Sequence, residues 1–313
     1  MLRHILLFAA TSLAAAPAAA QAPASCPAST LRYDIAFQPG AVRVGICVPG
    51  AEADSAAFEI GDWAGVSNYG DNVGELAATD AAGSSLTVAK RDGGRWVVTS
   101  GARRPFRLAY TVRHAKPSFM GDEEDGQFQP TLFDTWAFLW GQAYLLRPES
   151  DALSALPVRV AVDAGPYRTT HASWGADTLL ADVDALRNSA LAAGDFRRQS
   201  REIDGVPVTF LSQGAWSFTD GAFADAVERL LRQQVATVGS GYPTRRLTVV
   251  LLPGKETSAG GTVVKDAMVV YPRPEMDLTG DLWALGLIAH EHFHLWTGEV
   301  ARAAGDVPEG EVK

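Results

Sequence analysis

Three histidines and one glutamate lie close together in an otherwise apolar segment near the end of the chain, at His290, Glu291, His292 and His294. On a helix, residues four apart share one face, so His290 and His294 can bind one metal ion together. His292 lies roughly 200° around the helix from His290. We therefore expect His292 to be structural, or to lie at the rim of the site, and not to be a metal ligand.

This spacing matches the pattern H-E-x-x-H, which is typical of catalytic zinc sites. Zinc suits imidazole nitrogens, and a catalytic site keeps one position open for a water whose pKa falls to about 7. Glu291 is then the predicted general base, taking a proton from that water and passing it to a leaving amine. The alternative is a helix with hydrogen-bonded core histidines. A charged glutamate on so apolar a helix is costly without a partner, which favours the metal site.

The elements that must position these residues alternate between strand and helix. "VPVTFLSQG", "RRLTVVLLPG" and "DAMVVYP" are typical strands. A helix with apolar residues at helical spacing is predicted between a cap at Thr219 or Asp220 and a stop at Gly239. The helix that carries the histidines is predicted to begin near Thr279. Residues 166–313 are therefore predicted to form the second, catalytic domain.

Residues 21–165 have a different pattern and predict a β-rich N-terminal domain. Short segments such as "LRYDIAF", "VRVGICV" and "FRLAYTV" are rich in Val, Ile, Tyr and Phe, and Gly, Asp and Pro separate them. Regular short strands with turn residues between them are typical of a β-sandwich. The predicted fold class is α+β, with a sandwich-like first domain followed by the mixed second domain.

The first 20 residues have the pattern of a secretory signal peptide. A short basic start precedes an apolar run and then the small residues "APAAAQA". Cleavage is predicted before Gln21, so the mature protein is expected to be periplasmic or secreted. No later segment has the roughly 20 apolar residues that a membrane-spanning helix needs. The net charge of −9 argues against a nucleic-acid partner.

Cys26 and Cys47 are the only cysteines. In an exported chain this pair can form a disulfide, worth roughly 3 kcal/mol on the chain-entropy model. The alternative is that Cys47 is a small core residue and Cys26 is unpaired.

The segment "HEHFHLW" resembles the glycyl-aminopeptidase family of zinc metallopeptidases, metallopeptidase family sixty-one of the gluzincin clan. The family typically shows H-E-x-F-H-x-W, matched by His290, Glu291, Phe293, His294 and Trp296. "NSALAAGDFRRQSREIDGVPVTFLSQG" and "YPTRRLTVVLLPG" followed by "AGG" are similar to the family's segments entering the catalytic domain and its substrate edge. The resemblance implies a thermolysin-like catalytic domain, a zinc cofactor and aminopeptidase-type hydrolysis of peptide or protein substrates.

At the substrate edge, the sequence departs from the family pattern. Family members commonly have G-G-L-E-H there, whereas this chain has "GGTVV" from Gly260 to Val264, without the glutamate that suits a peptide's amino terminus. We expect Gly260 and Gly261 to let substrate backbone approach closely.

A second departure concerns the third zinc ligand, which in the family is a glutamate within a W-F-x-E-G-like stretch on the next helix. This sequence has no such stretch, and its only later glutamates are Glu299, Glu309 and Glu311. A catalytic zinc normally has three protein ligands. We therefore expect the sequence to be a fragment that ends before its third ligand, with Glu311 as the best internal candidate.

The leading hypothesis is an exported zinc metallopeptidase. Two alternatives come from other classes. One is a non-catalytic peptide- or protein-binding module on a degenerate or truncated peptidase fold. The other is a structural two-domain protein in which the motif is accidental. Stoichiometric zinc would exclude the last, and loss of turnover on Glu291→Gln with zinc retained would separate the first two.

Overall fold

The computed structural model describes residues 26–113, 126–239, 241–254, 259–273 and 275–303. The predicted signal peptide and its cleavage site at Gln21 lie outside these ranges, as do Glu309 and Glu311. Glu299 lies within the last helix, at a position where only the backbone is described.

Short strands dominate the first part of the chain, as the alternating segments predict. They are β1 (Leu31–Gln38), β2 (Ala41–Val48), β3 (Ala56–Glu59), β4 (Val73–Asp80), β5 (Ser85–Leu86), β6 (Val88–Arg91), β7 (Arg95–Val98), β8 (Phe106–Val112), β9 (Thr131–Leu132), β10 (Trp136–Trp140), β11 (Arg147–Pro148), β12 (Val158–Asp163), β13 (Thr170–Ala172), β14 (Leu179–Leu180) and β15 (Ala190–Gly194). Three short helices connect them: α1 (Gly141–Tyr144), α2 (Asp151–Ser154) and α3 (Val183–Arg187).

These strands form three sheets around one core. The largest has the order β14-β12-β1-β2-β8-β4-β5, and two four-stranded sheets have the orders β13-β15-β10-β9 and β11-β3-β7-β6. In β1 every second side chain is buried, from Leu31 through Tyr33 and Ile35 to Phe37. This is the period of two that lets one strand face the core and the solvent at once. Residues of all three sheets meet in one apolar cluster.

Strand pairing continues the sheets of the first part beyond residue 165, and the domain division at residue 165 stays a prediction. β14 pairs with β12, and both β13 and β10 pair with β15, so residues up to Gly194 complete the sheets of the first part. The next strand joins a different sheet. These strands are short and carry weak sequence patterns, which is why their membership was not visible from the sequence.

A disulfide joins Cys26 to Cys47. Cys47 is buried in β2, and Cys26 precedes β1. The bond therefore ties the beginning of the described chain to the centre of the largest sheet.

The second part consists of one five-stranded sheet and two long helices. The strands are β16 (Arg197–Ile203), β17 (Val206–Ser212), β18 (Leu247–Leu251), β19 (Gly260–Val264) and β20 (Ala267–Tyr271), in the order β16-β17-β18-β20-β19. The helices are α4 (Asp220–Val238) and α5 (Leu282–Ala303). The whole molecule is thus a mixed α+β structure that is mostly sheet. No helix in the described ranges has the length and apolarity needed to cross a membrane.

The ends of α4 follow the predicted caps. The Thr219 side chain accepts a hydrogen bond from the Ala222 N–H, and Gly239 ends the helix in the left-handed region at φ 71°. A residue with a Cβ would be strained there, which explains the glycine.

The five-stranded sheet is a middle layer that is covered on both faces. Along β18, Leu247, Val249 and Leu251 pack in the cluster with α4 and α5. Val250 and the following Leu252 pack instead in the core of the first part. A strand buried on both faces has no polar alternation, which explains why the sequence here is an unbroken apolar run.

Candidate functional site

The helix α5 brings the two predicted metal-binding histidines together. Nε2 of His290 lies 3.1 Å from Nε2 of His294, and both rings are exposed on one face of the helix. Two imidazole nitrogens bound to one tetrahedral zinc ion are about 3.3 Å apart. The observed pair needs only a small adjustment to chelate a single ion. The hydroxyl of Thr297 lies 3.4 Å from Nδ1 of His294 and is the nearest support for its ring.

Glu291 projects from the same helix turn but is largely buried, with 8% of its surface exposed. Burial raises the pKa of its carboxyl, and the nearby His290 acts in the opposite direction. A carboxyl with a raised pKa binds a proton more readily than an ordinary carboxylate does, which suits a general base that later acts as an acid.

Gly261 leaves the space that the Glu291 side chain occupies. A Cβ added at Gly261 would lie 2.5 Å from Cγ of Glu291 and 3.1 Å from the carbonyl oxygen of Val269. Strand β19 therefore needs a residue without a side chain at this position. The described contacts give Gly261 a packing role. Its expected role in admitting substrate backbone stays a prediction. Gly260 differs, because a Cβ there would meet only the Gln127 side chain, at 3.1 Å.

His292 lies on the buried face of α5, as its angular position predicts. Its Nε2 is 2.8 Å from the hydroxyl of Tyr242, and its Nδ1 is 2.7 Å from Oε1 of Gln234. Burial lowers the pKa of the ring to about 4, so the imidazole is neutral at physiological pH. Both nitrogens are engaged with protein groups, which makes His292 structural.

An open cleft of about 960 Å³ runs beside Glu291 and His294. One wall is strand β19, which is the edge strand of its sheet. The opposite wall comes from the first part of the chain and includes Trp63, Asp184 and Asn188. The sequence did not indicate these three residues, since no local pattern marks a residue that reaches a site across a fold.

A third metal ligand is not present in the described part of the chain, where no group of three His, Cys, Asp or Glu side chains could hold an ion. The two histidines therefore form an incomplete donor set among these residues. Glu311, the best candidate from the sequence, is outside the described ranges.

The exposed face of α5 is also unusually apolar. Leu282, Trp283 and Phe293 are the large side chains most exposed on this helix, at 86%, 61% and 47%. With 3.6 residues per turn, they fall on the same side of the helix as His290 and His294. The opposite side of the helix is buried and includes Ala284, Ile288 and Leu295.

Comparison with known proteins identifies the class. The family model described as the peptidase M61 N-terminal domain matches residues 33–198, which is more than half of the chain. The chain belongs to the peptidase M61 family, and the predicted family is confirmed. The matched residues do not include "HEHFHLW", so the role of that segment stays a prediction. The match ends after β15, where the strand pairing changes from the first part to the second. No curated protein sequence matched the chain.

Two solved structures are similar in fold. An aminopeptidase N family protein from Idiomarina loihiensis superimposes with a TM-score of 0.69 at 15% identity, over 85% of this chain and 48% of that one. Aminopeptidase A of Legionella pneumophila, in complex with aspartic acid, gives a TM-score of 0.52 at 13% identity, over 86% of this chain and 34% of that one. This chain spans about half the length of the first protein and about a third of the second.

Proposed function

We propose that this chain provides the N-terminal domain and the start of a thermolysin-like catalytic domain of a zinc-dependent peptidase. The observation that carries the proposal is the pairing of His290 and His294, with Nε2 atoms 3.1 Å apart, at a cleft lined by Glu291 and His294. The alternative of a purely structural helix does not explain two exposed imidazoles that face each other while the third is buried.

In this proposal, His290 and His294 hold the ion through their Nε2 atoms. An ion held there would supply Lewis-acid chemistry, lowering the pKa of a bound water and polarising a carbonyl. Glu291 accepts the proton of the attacking water and donates it to the leaving amine. Its position against Gly261 directs the carboxyl along β19, whose free edge supplies backbone groups to a substrate in the cleft.

The third ligand is proposed to come from residues outside the described ranges. A carboxylate there would complete the three protein ligands of a catalytic zinc site. Residues 26–303 alone are expected to bind zinc weakly, because two imidazoles provide only part of the coordination shell.

Aminopeptidase-type cleavage is the proposed reaction. The family membership and the names of both similar structures support it. The missing glutamate in "GGTVV" leaves this chain without the family's carboxylate for a peptide amino terminus. The N-terminal sequence pattern and the Cys26–Cys47 disulfide support an exported protein, periplasmic or secreted.

The test compares zinc content and peptide hydrolysis in wild type and in Glu291→Gln. We expect equal zinc in the two proteins and at least a hundredfold lower turnover in the variant. His290→Ala and His294→Ala should each lose both zinc and turnover. Parallel assays with free and N-acetylated peptides report whether cleavage needs a free amino terminus. Wild-type protein that binds zinc stoichiometrically but hydrolyses neither peptide would favour the non-catalytic alternative.

A further inference from the structure

The buried side of α5 is held by a continuous chain of hydrogen bonds that reaches two other elements. Gln234 lies on α4, Tyr242 lies in the loop that follows it, and His292 lies on α5 between the two proposed ligands. Their polar atoms meet within 2.8 Å of one another on both sides of the His292 ring.

The donors and acceptors in these hydrogen bonds are mutually consistent. The Gln234 amide nitrogen donates to the backbone carbonyl of Ala289 at 2.8 Å, which turns its oxygen toward His292. That oxygen accepts from Nδ1–H of His292, so Nε2 is left as an acceptor for the Tyr242 hydroxyl. A neutral imidazole satisfies both bonds in a single tautomer.

Aromatic packing supports this assembly of Gln234, Tyr242 and His292 on the same side of α5. The Trp296 ring lies edge-on to His292, with centroids 4.9 Å apart, and its Nε1–H donates to the carbonyl of Gly241 at 3.1 Å. The loop that carries Tyr242 is therefore attached to α5 at two points one helical turn apart.

We propose that Gln234, Tyr242 and His292 act as positioning residues that fix the rotation of α5, and with it the directions of His290, Glu291 and His294. The effect of this positioning on catalysis rests on the proposed function. Apolar packing is non-directional and permits a helix to turn about its axis. Hydrogen bonds to both sides of the His292 ring oppose this rotation, because hydrogen bonds weaken steeply away from linear geometry.

The effect of a small rotation is large at the site. An atom about 6 Å from the helix axis moves about 2 Å when the helix turns by roughly 20°. The bond from Gln234 to Ala289, the residue just before His290, also fixes the position of α5 along its axis. A misplacement of about 1 Å in a catalytic group can cost roughly a hundredfold in rate.

The test uses two variants of the assembly and one matched control in the metal-free protein and with Co²⁺ added. Tyr242→Phe removes only the hydroxyl bond to His292, and Gln234→Leu removes the other partner. Tyr33→Phe is the control, because it also deletes one hydroxyl bond of 2.8 Å, to the carbonyl of Leu146, far from α5. The readouts are Co²⁺ affinity with its visible spectrum, and the imidazole nitrogen-15 resonances of His290 and His294 in the metal-free protein.

We expect Tyr242→Phe and Gln234→Leu to weaken Co²⁺ binding at least tenfold and to change the resonances of the His290–His294 pair. Tyr33→Phe should lower the melting temperature by a similar amount and leave both readouts as in wild type. If the two assembly variants lose stability but match the control in both readouts, the assembly is merely structural and the inference is wrong.

The proposed function can fail independently. A wild type that binds no Co²⁺ would overturn the metal site, while the metal-free resonances would still decide the positioning role. Selective change in Tyr242→Phe and Gln234→Leu would support that role, and unchanged resonances would overturn it.

Discussion

Gly261 and Gly260 are neighbours on the same strand, but they stand in different relations to the proposed general base. Only Gly261 faces Glu291, where a Cβ would come within 2.5 Å of Cγ. This distance is shorter than any real contact between carbon atoms, so an added methyl group must displace the carboxyl. The environment of Glu291 is therefore set from two sides, by α5 and by β19.

We predict that Gly261→Ala lowers peptide turnover by at least a hundredfold while zinc binding by the two histidines is retained, because the methyl group displaces the carboxyl and not the imidazoles. The cost of overpacking should be about 1–3 kcal/mol in the free energy of unfolding. Gly260→Ala is the matched control, since its Cβ meets only the movable end of Gln127. Steady-state kinetics, metal analysis and denaturant unfolding measure the three effects, and equal kinetics in both variants would contradict the assigned packing role.

The raised pKa of Glu291 has a consequence for stability. A folded-state pKa above the unfolded value means that the charged carboxyl is less favourable in the folded protein, so the cost is present at neutral pH. We predict that Glu291→Gln raises the melting temperature of the metal-free protein at pH 7. The gain should shrink as the pH falls and disappear below the ordinary carboxyl pKa of 4.5, where wild type becomes protonated in both states. A gain that persists unchanged at low pH would point to a different cause.

At this scale, the sequence predicted the residues that act locally and missed those that act across the fold. His290, Glu291 and His294 share one helical turn, so their spacing alone reports their geometry. Gln234 and Tyr242 lie more than 45 residues before His292, and nothing in their local sequence marks them as its partners. Trp63, in the segment after β3, and Asp184, on α3, reach the cleft from the first part of the chain.

Among the elements, α4 follows its sequence most closely, with both caps at the predicted residues. Strands such as β1, β2, β8, β17, β18 and β20 were also predicted, because alternation and apolar runs report which side chains are buried. Alternation does not report which strand is the neighbour, and therefore the pairing of β13 to β15 could not be predicted. Apolar residues on all sides of a helix likewise do not show which side of α5 is covered.

The cap of α4 gives a prediction at this scale. Thr219→Ala should lower the free energy of unfolding by about 1 kcal/mol, because the Ala222 N–H loses its side-chain acceptor. Thr219→Ser keeps the hydroxyl and should restore most of that loss. Urea denaturation followed by circular dichroism measures both changes. The cap explanation fails if the serine variant is as unstable as the alanine variant.

Across the whole molecule, the two parts are joined by polar contacts as well as by apolar packing. His171 on β13 lies 3.0 Å from the hydroxyl of Thr248 on β18. Arg246 pairs with Asp177 at 2.8 Å and also donates to the carbonyl of Trp174. These contacts lie at one side of the junction between the first part and the five-stranded sheet.

His171 makes this junction sensitive to acid. Burial lowers the pKa of its ring to about 4, with a smaller contribution from Arg198. A depressed folded-state pKa means that the unfolded chain binds the proton first, so stability is full above about pH 6.5 and is lost as the pH falls toward 4. The loss from this residue should reach up to roughly 3 kcal/mol.

We predict that His171→Gln flattens the decline in unfolding free energy between pH 6.5 and pH 4, because the amide keeps a polar contact with Thr248 but does not titrate. His292 has a similarly low pKa, so part of the decline should persist in the variant. Denaturant titrations at several pH values give the two profiles. Parallel profiles for wild type and variant would show that His171 does not set the slope.

The five-stranded sheet lies between the two apolar cores, and this position determines how the protein unfolds. The matched family domain ends at residue 198, within β16, but the apolar face formed by Val250, Leu252 and their neighbours belongs to the core on the far side of that boundary. Neither part can unfold without exposing the face that the other covers. The matched family domain is thus smaller than the structure that unfolds cooperatively. Calorimetry should therefore show one heat-absorption peak for the two parts. A family boundary within the sequence does not make the residues on its two sides thermodynamically independent.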